Sequence, residues 1–497
     1  MARQSYLTSP PKISTMPPGV PYIVGNEAAE RFSYYGMNSI LTIFMTKYLL
    51  DKMGHLSVMQ PANAEAWYHT FVTTLYFLPI LGAILADAVF GKFWVVFWLS
   101  IVYCGGHATL ALMGSPVAHT IEPRYLLAIG LVLIAMGAGG IKPCVSTNVG
   151  DQFGESNKHL LTRVFNWFYF SINAGSALST LLIPWLLEPG SIWDWLRNLL
   201  PASASDFLVS PRLHSPDVAF GLPGVFMAIA TVIFWMGRKK FVHIPPVGLG
   251  NYAREIFNKQ TGKIILNILM PVPFIAMFWA LWQQNFSSWI VQAESMDRHL
   301  FGVDWLSSQI QTVNPLFILI MLPVFSYWLY PFVEKFVRLT PLRKIGAGLF
   351  VTAASFFLVA MIQTRIDAGA RPGMVWQIWA FVILTAGETL VSPTHLEFSY
   401  TQGPVKLKSL IMCTYLIAIS LGNAFTAAVN FFIQNPDGSV KLQGTSYFMF
   451  FVWVMLGTAV LFAIVTPFYK GRTYLQDQAA PAAPLEPAIG LAAQPEV

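Results

Sequence analysis

Residues 26–44 read NEAAERFSYYGMNSILTIF. The second half is apolar enough for a membrane helix, yet the first two turns hold Glu27, Glu30 and Arg31. At 100° per residue, Glu27, Glu30, Arg31, Tyr34, Tyr35 and Asn38 fall within an arc of about 140°. Ala29, Ile40 and Phe44 lie on the other side. Glu27 and Arg31 also form an i,i+4 pair in the favourable order. A charge at the bilayer centre costs about 2.5–3.5 kcal/mol on insertion scales, so charges there face a polar interior and find partners. Two readings stand: an interfacial cluster near one membrane surface, or the lining of a wet pocket. Tyr34 and Tyr35, which carry the polar face deeper, favour the pocket.

The rest of the chain supplies the surrounding membrane. Of 497 residues, 55% are hydrophobic and 11% charged, against about 25% charged in a soluble domain. Apolar blocks such as 93–113, 219–236 and 447–467 reach the length needed to cross a bilayer as helices. The period-two alternation of a membrane β-barrel is missing. The fold class expected is therefore an all-α membrane protein. Its twelve spans fall near 23–49, 64–86, 93–114, 125–149, 162–187, 218–236, 264–294, 306–334, 344–364, 373–401, 408–433 and 445–469. Cys104, Cys144 and Cys413 each sit in an apolar segment and are expected to be free thiols.

Basic residues set the expected orientation. Arg238, Lys239, Lys240, Arg254, Lys259 and Lys263 crowd the loop after span six, with Glu255 the single acid. Lys335, Arg338, Arg343 and Lys344 follow span eight. Both termini are thus expected on the cytoplasmic side of the cell membrane. The formal charge of +6 is a matter of topology here and does not point to nucleic acid. Residues 1–22 are polar and proline-rich, without a signal-peptide core, so span one is expected to act as its own uncleaved signal. The expected divisions are a six-helix bundle at 23–236, a cytoplasmic linker at 237–263, a second six-helix bundle at 264–470 and a disordered Ala/Pro-rich tail at 471–497. Two six-helix halves around a central site form a common transporter plan.

Further polar residues lie at depth. Lys142 in span four, followed by Pro143, reads as a cationic partner for Glu27 or Glu30. Glu388 lies mid-span in span ten, away from any flank to which it could snorkel, and reads as a ligand- or proton-binding group. His69 near the end of span two has the ordinary pKa of a proton carrier, though a lone histidine is more often structural. Asn173 and Asn314 bring both donor and acceptor capacity, and Trp279 is either core or a surface for varied side chains. In LGAILADAVFGKF, residues 81–93, Gly82, Asp87, Gly91 and Lys92 read as a conformational latch, with Asp87 capping a neighbouring helix. A phosphate-binding glycine loop, an H-E-x-x-H motif and a G-x-S-x-G elbow are all missing, so no enzyme is expected.

These motifs resemble the proton-coupled oligopeptide transporter family of the major facilitator superfamily. EAAERFSYYG resembles its first-helix signature, and GGIKPCVSTNVGDQF, FYFSINAGS and GETLVSPTHLEFSY resemble its fourth-, fifth- and tenth-helix segments. The resemblance implies proton coupling through Glu27, Glu30, Arg31, Lys142, His69 and Glu388. It implies a peptide site of Arg31, Tyr34, Tyr35, Tyr68, Lys142, Asn173, Trp279, Asn314, Glu388 and Tyr415. The gate and latch are assigned to Asn38, Gln283, Asp87 and Lys92. Asn38 and Gln283 are neutral where the family often carries a salt bridge, so another contact, involving His69, is expected at the outer gate. Tyr415 replaces a usual tryptophan, and His395 a usual glycine.

The function implied is proton-driven import of dipeptides and tripeptides by alternating access. The only coupling ion is the proton, no cofactor or metal is called for, and the expected protein is a monomer in the bilayer. Transport of nitrate or another small metabolite, and peptide sensing without transport, remain open at this point.

Overall fold

The computed structural model describes residues 6–188, 201, 215–256, 268–401, 408–435, 437 and 439–469. The end of the linker with Lys259 and Lys263, and the tail from residue 470 on, lie outside the described residues.

Long helices stand where the hydropathy places them. They are α1 Val20–Ile43, α2 Pro61–Phe77, α3 Lys92–Ala111, α4 Pro123–Asp151, α5 Leu161–Leu187 and α6 Pro216–Met236. Then come α7 Val272–Trp282, α8 Val313–Val324, α9 Pro341–Asp367, α10 Val375–Thr401, α11 Lys408–Phe432 and α12 Thr445–Val465. Among the described residues, ten helical stretches are long and apolar enough to cross a membrane. The other two positions hold α1, with its three charges, and α7, which is broken. Proline opens α2, α4, α6 and α9, where its missing N–H costs nothing.

The break in α7 departs from the single helix expected over 264–294. After Trp282 the backbone tightens into a 3-10 turn, Gln283–Phe286, and a new helix runs Ser288–Glu294. The cause is local. Asn285 Nδ2 donates to the Trp282 carbonyl at 2.6 Å and Gln284 Nε2 to the Ala280 carbonyl at 3.0 Å, so side chains compete for the helix's own acceptors.

Contacts sort the helices into two sets. In the first, α1 packs on α5 and α6, α3 on α4 and α6, and α2 on α4. In the second, α7 packs on α11 and α12, α9 on α10 and α12, and α8 on α10. The sets meet along two seams, α2 against α11 and α5 against α8. Gly175 of α5 shows how close the packing runs: a Cβ there would stand 2.7 Å from the Ala28 carbonyl of α1, beside Glu27. The three cysteines are free, as expected.

Candidate functional site

The charged face of α1 is buried. Arg31 Nε lies 2.6 Å from Glu27 Oε1 and 3.0 Å from Glu30 Oε2, and the two glutamates are 3% and 1% exposed. One guanidinium thus serves two carboxylates of its own helix. The Glu27 contact is an aligned hydrogen bond, whereas Glu30 is held by charge proximity alone. Lys142 does not take the partner expected of it. Its ammonium stands over the ring of Tyr34 at 4.4 Å and that of Tyr76 at 5.0 Å, with no carboxylate at ion-pair distance among the described residues. Arg31 reaches both carboxylates along one helix. The compact lysine charge settles on aromatic faces instead, while still within electrostatic reach of Glu27, Glu30 and Arg31.

The second half contributes Glu388. Its Oε2 accepts from Asn314 Nδ2 at 2.7 Å and from Trp282 Nε1 at 2.8 Å. Asn314 Nδ2 also donates to Thr385 Oγ1 at 3.1 Å, one turn before Glu388 on α10. The Tyr35 ring lies edge-on to Tyr34 at 5.2 Å and stacked on Phe286 at 6.3 Å, and its hydroxyl is near enough to feel the charges of both Arg31 and Glu388. Lys142, Tyr35, Tyr76, Glu388, Asn314 and Tyr415 are all partly exposed. Trp279 is buried edge-on between Trp282 and Tyr415, with ring centroids 5.2 and 5.8 Å away. The Tyr415 hydroxyl meets Ser392 Oγ at 2.8 Å, and its ring is 5.4 Å from that of His395. Asn173 turns back on its own helix, donating to the Tyr169 carbonyl at 2.9 Å.

A third group of contacts crosses the seams at the end remote from the chain termini. Gln283 Nε2 donates to the Tyr68 hydroxyl at 2.8 Å, and buried Asn38 lies against the same hydroxyl. His69 Nδ1 meets Asn423 Oδ1 at 2.7 Å and its Nε2 meets Ser287 Oγ at 3.0 Å. Since an amide oxygen only accepts, Nδ1 carries the proton in this arrangement. Thr42 donates to the Phe286 carbonyl at 2.8 Å, Tyr447 to Glu65 at 3.0 Å, and Lys47 pairs with Glu294. Gln283, neutral in the sequence, is thus held in a Gln–Tyr hydrogen bond beside the contacts of His69.

At the opposite end, Lys92 pairs with Asp151 of α4 at 2.6 Å. Gly91 takes a φ of +82°, which lets the chain turn from α2 into α3. Asp87 does not cap a helix as expected. Its main-chain carbonyl accepts the Val247 N–H, tying this turn to the linker.

Sequence reasoning missed Tyr76, Trp282, Thr385 and Asp151. Helical spacing carried a signal for three of them. Tyr76 follows His69 by seven residues on one face, Trp282 follows Trp279 by three, and Thr385 precedes Glu388 by three.

A helical membrane protein with facing charge centres on two helix sets has the build of a membrane carrier of the major facilitator type. The sequence model of the POT family matches residues 93–267 and 251–449, and the chain belongs to that family, which consists of transporters rather than enzymes. Peptide transporter 3 of Caenorhabditis elegans is 33% identical over 389 residues, 72% of this chain and 52% of that protein. Solute carrier family 15 member 2 of Homo sapiens is 34% identical over 406 residues, 72% of this chain and 51% of that protein. The chain thus spans about half the length of these relatives. α9 and α10 are joined here by residues 368–374 alone. The crystal structure of the POT family transporter PepTSo matches with a TM-score of 0.78 at 32% identity, covering 92% of this chain and 99% of that one. An auto-inhibited POT family peptide transporter matches at 0.77 and 28% identity, covering 94% of this chain and 99% of the other.

Proposed function

We propose that the protein is a proton-driven importer of dipeptides and tripeptides, working by alternating access across twelve spans in two six-helix bundles, 23–236 and 264–470. Both termini and the linker face the cytoplasm, the membrane is the cell membrane, and the unit is a monomer. The observation that carries this reading is the presence of opposite charge centres on the two halves: Glu388 on one, Arg31 and Lys142 on the other.

A zwitterionic peptide fits that polarity. Its amine goes to Glu388, steadied by Asn314. Its carboxylate goes to Arg31 and Lys142, helped by the hydroxyls of Tyr34 and Tyr35. Tyr68, Trp279, Asn173 and Tyr415 border the space for side chains. Coupling follows from the ion pairs. With Glu27 and Glu30 ionised, Arg31 is fully engaged by them. A proton on either carboxylate releases part of the guanidinium's charge to the peptide carboxylate, so proton and peptide favour one another's binding. Lys142, free of an ion pair from the start, supplies a standing attraction for the same group. The seam contacts from His69, Thr42, Gln283 and Lys47 act as the outer gate, and Lys92–Asp151 as part of the inner latch.

A thermal-shift screen of a peptide library tests the reading. A ligand at a hundred times its Kd stabilises the fold by about 2.7 kcal/mol, enough to read. Dipeptides and tripeptides with free termini should raise the transition temperature most, peptides lacking only the amine less, and peptides capped at both ends not at all. Stabilisation by nitrate and by no peptide would overturn it.

A further inference from the structure

Trp282 ends α7 where the helix breaks, and its indole points at α10. The indole N–H and the Asn314 amide donate to the same oxygen of Glu388, Oε2, at 2.8 and 2.7 Å. Among the described residues no hydrogen-bond partner holds Oε1, and Glu388 is partly exposed. Two donors fixed on one oxygen orient the carboxylate and leave the other oxygen available. The indole is itself held. Trp282 is 7% exposed, stacks edge-on against Trp279, and its carbonyl takes the Asn285 side chain that breaks the helix. Trp282 thus closes the last turn of α7, with its indole fixed by Trp279 on one side and Glu388 on the other.

We propose that Trp282 is a positioning residue for amine recognition: its N–H clamps Glu388 so that Oε1 receives the ammonium group of the substrate. The proposal rests on Glu388 being the amine site. It predicts a loss confined to ligands that carry an amine, because the indole touches the carboxylate and the amine touches only the free oxygen. Trp282→Phe keeps the ring's bulk and removes the donor.

The test measures Kd for dialanine and for propionyl-alanine, which has the same outline without the amine. Trp282→Phe should weaken dialanine by about tenfold, the worth of one hydrogen bond to a charged group, and leave propionyl-alanine unchanged. Retained propionyl-alanine binding also shows that the variant is folded. Trp282→His, which keeps a ring N–H, should recover part of the loss. In a Glu388→Gln background, Trp282→Phe should have no further effect on dialanine, since coupled residues are not additive. Equal weakening of both ligands, or full additivity with Glu388→Gln, would overturn the role of Trp282. If Glu388→Gln itself leaves dialanine binding intact, the amine-site reading fails instead.

Discussion

Arg31 answers two carboxylates from its own helix, and this decides what Lys142 is free to do. The pairing within α1 was legible because i,i+4 spacing and helical arithmetic fix it. The partner of Lys142 was not, since a residue's depth in a span says nothing of the direction it faces across the bundle. Two predictions belong here. Lys142→Ala should weaken dialanine binding and lower its proton-driven uptake together; unchanged affinity would remove Lys142 from the carboxylate site. Arg31→Ala leaves Glu27 and Glu30 buried together without a cation. Breaking a buried pair in this way costs about 3–5 kcal/mol. The variant should therefore melt well below the parent in detergent, and adding Glu27→Gln and Glu30→Gln should recover much of the loss. An unchanged melting temperature for Arg31→Ala would show that the carboxylates are not a burden to the fold.

Among the elements, positions of the long helices could be read from hydropathy alone, while the α7 break could not. Three consecutive polar residues, Gln283, Gln284 and Asn285, were there to be seen. Whether such side chains turn back onto their own backbone, as Gln284 and Asn285 do, or outward, as Gln283 does, depends on neighbours far away in sequence, here Tyr68. The linker offers a second local case. The His243 N–H donates to the Leu7 carbonyl at 2.7 Å, its ring stacks on Tyr6 at 4.3 Å, and its Nε2 donates to the Arg238 carbonyl. Burial lowers the pKa of His243 below the ordinary histidine value. The folded strap therefore binds fewer protons than the loosened one. Its stability is present above about pH 6.5 and is lost as pH falls below it, toward the depressed value. Hydrogen exchange, corrected for intrinsic rates, should show protection at residues 6–8 and 242–244 falling between pH 7.5 and 5.5. His243→Phe should flatten that dependence, and a parent profile already flat would contradict the argument.

At the scale of the whole molecule, the two helix sets are tied mainly at one end. Thr42, Lys47, Glu65, His69 and Thr180 of the first set meet Phe286, Glu294, Tyr447, Asn423 and Thr312 of the second, and Ser420 meets Thr73 nearer mid-depth. The class of fold and the two charge centres were foreseeable from composition and from helix faces. The set of seam contacts was not, because each joins helices more than a hundred residues apart, mostly through neutral side chains that carry no sequence signature. If the outer gate is built as described, Tyr68→Phe, His69→Ala and Thr42→Ala combined should raise the labelling of a cysteine placed at Gln283 by a reagent added from outside. Unaltered labelling would mean that the gate lies elsewhere. The central claim is that a proton taken up by the α1 carboxylates turns Arg31 toward a peptide. It is met most directly by purified protein in liposomes, acidic outside and neutral within, supplied with labelled dialanine. The account predicts accumulation above equilibrium that collapses when a protonophore is added; uptake no greater than in empty liposomes, or accumulation indifferent to the protonophore, would contradict it.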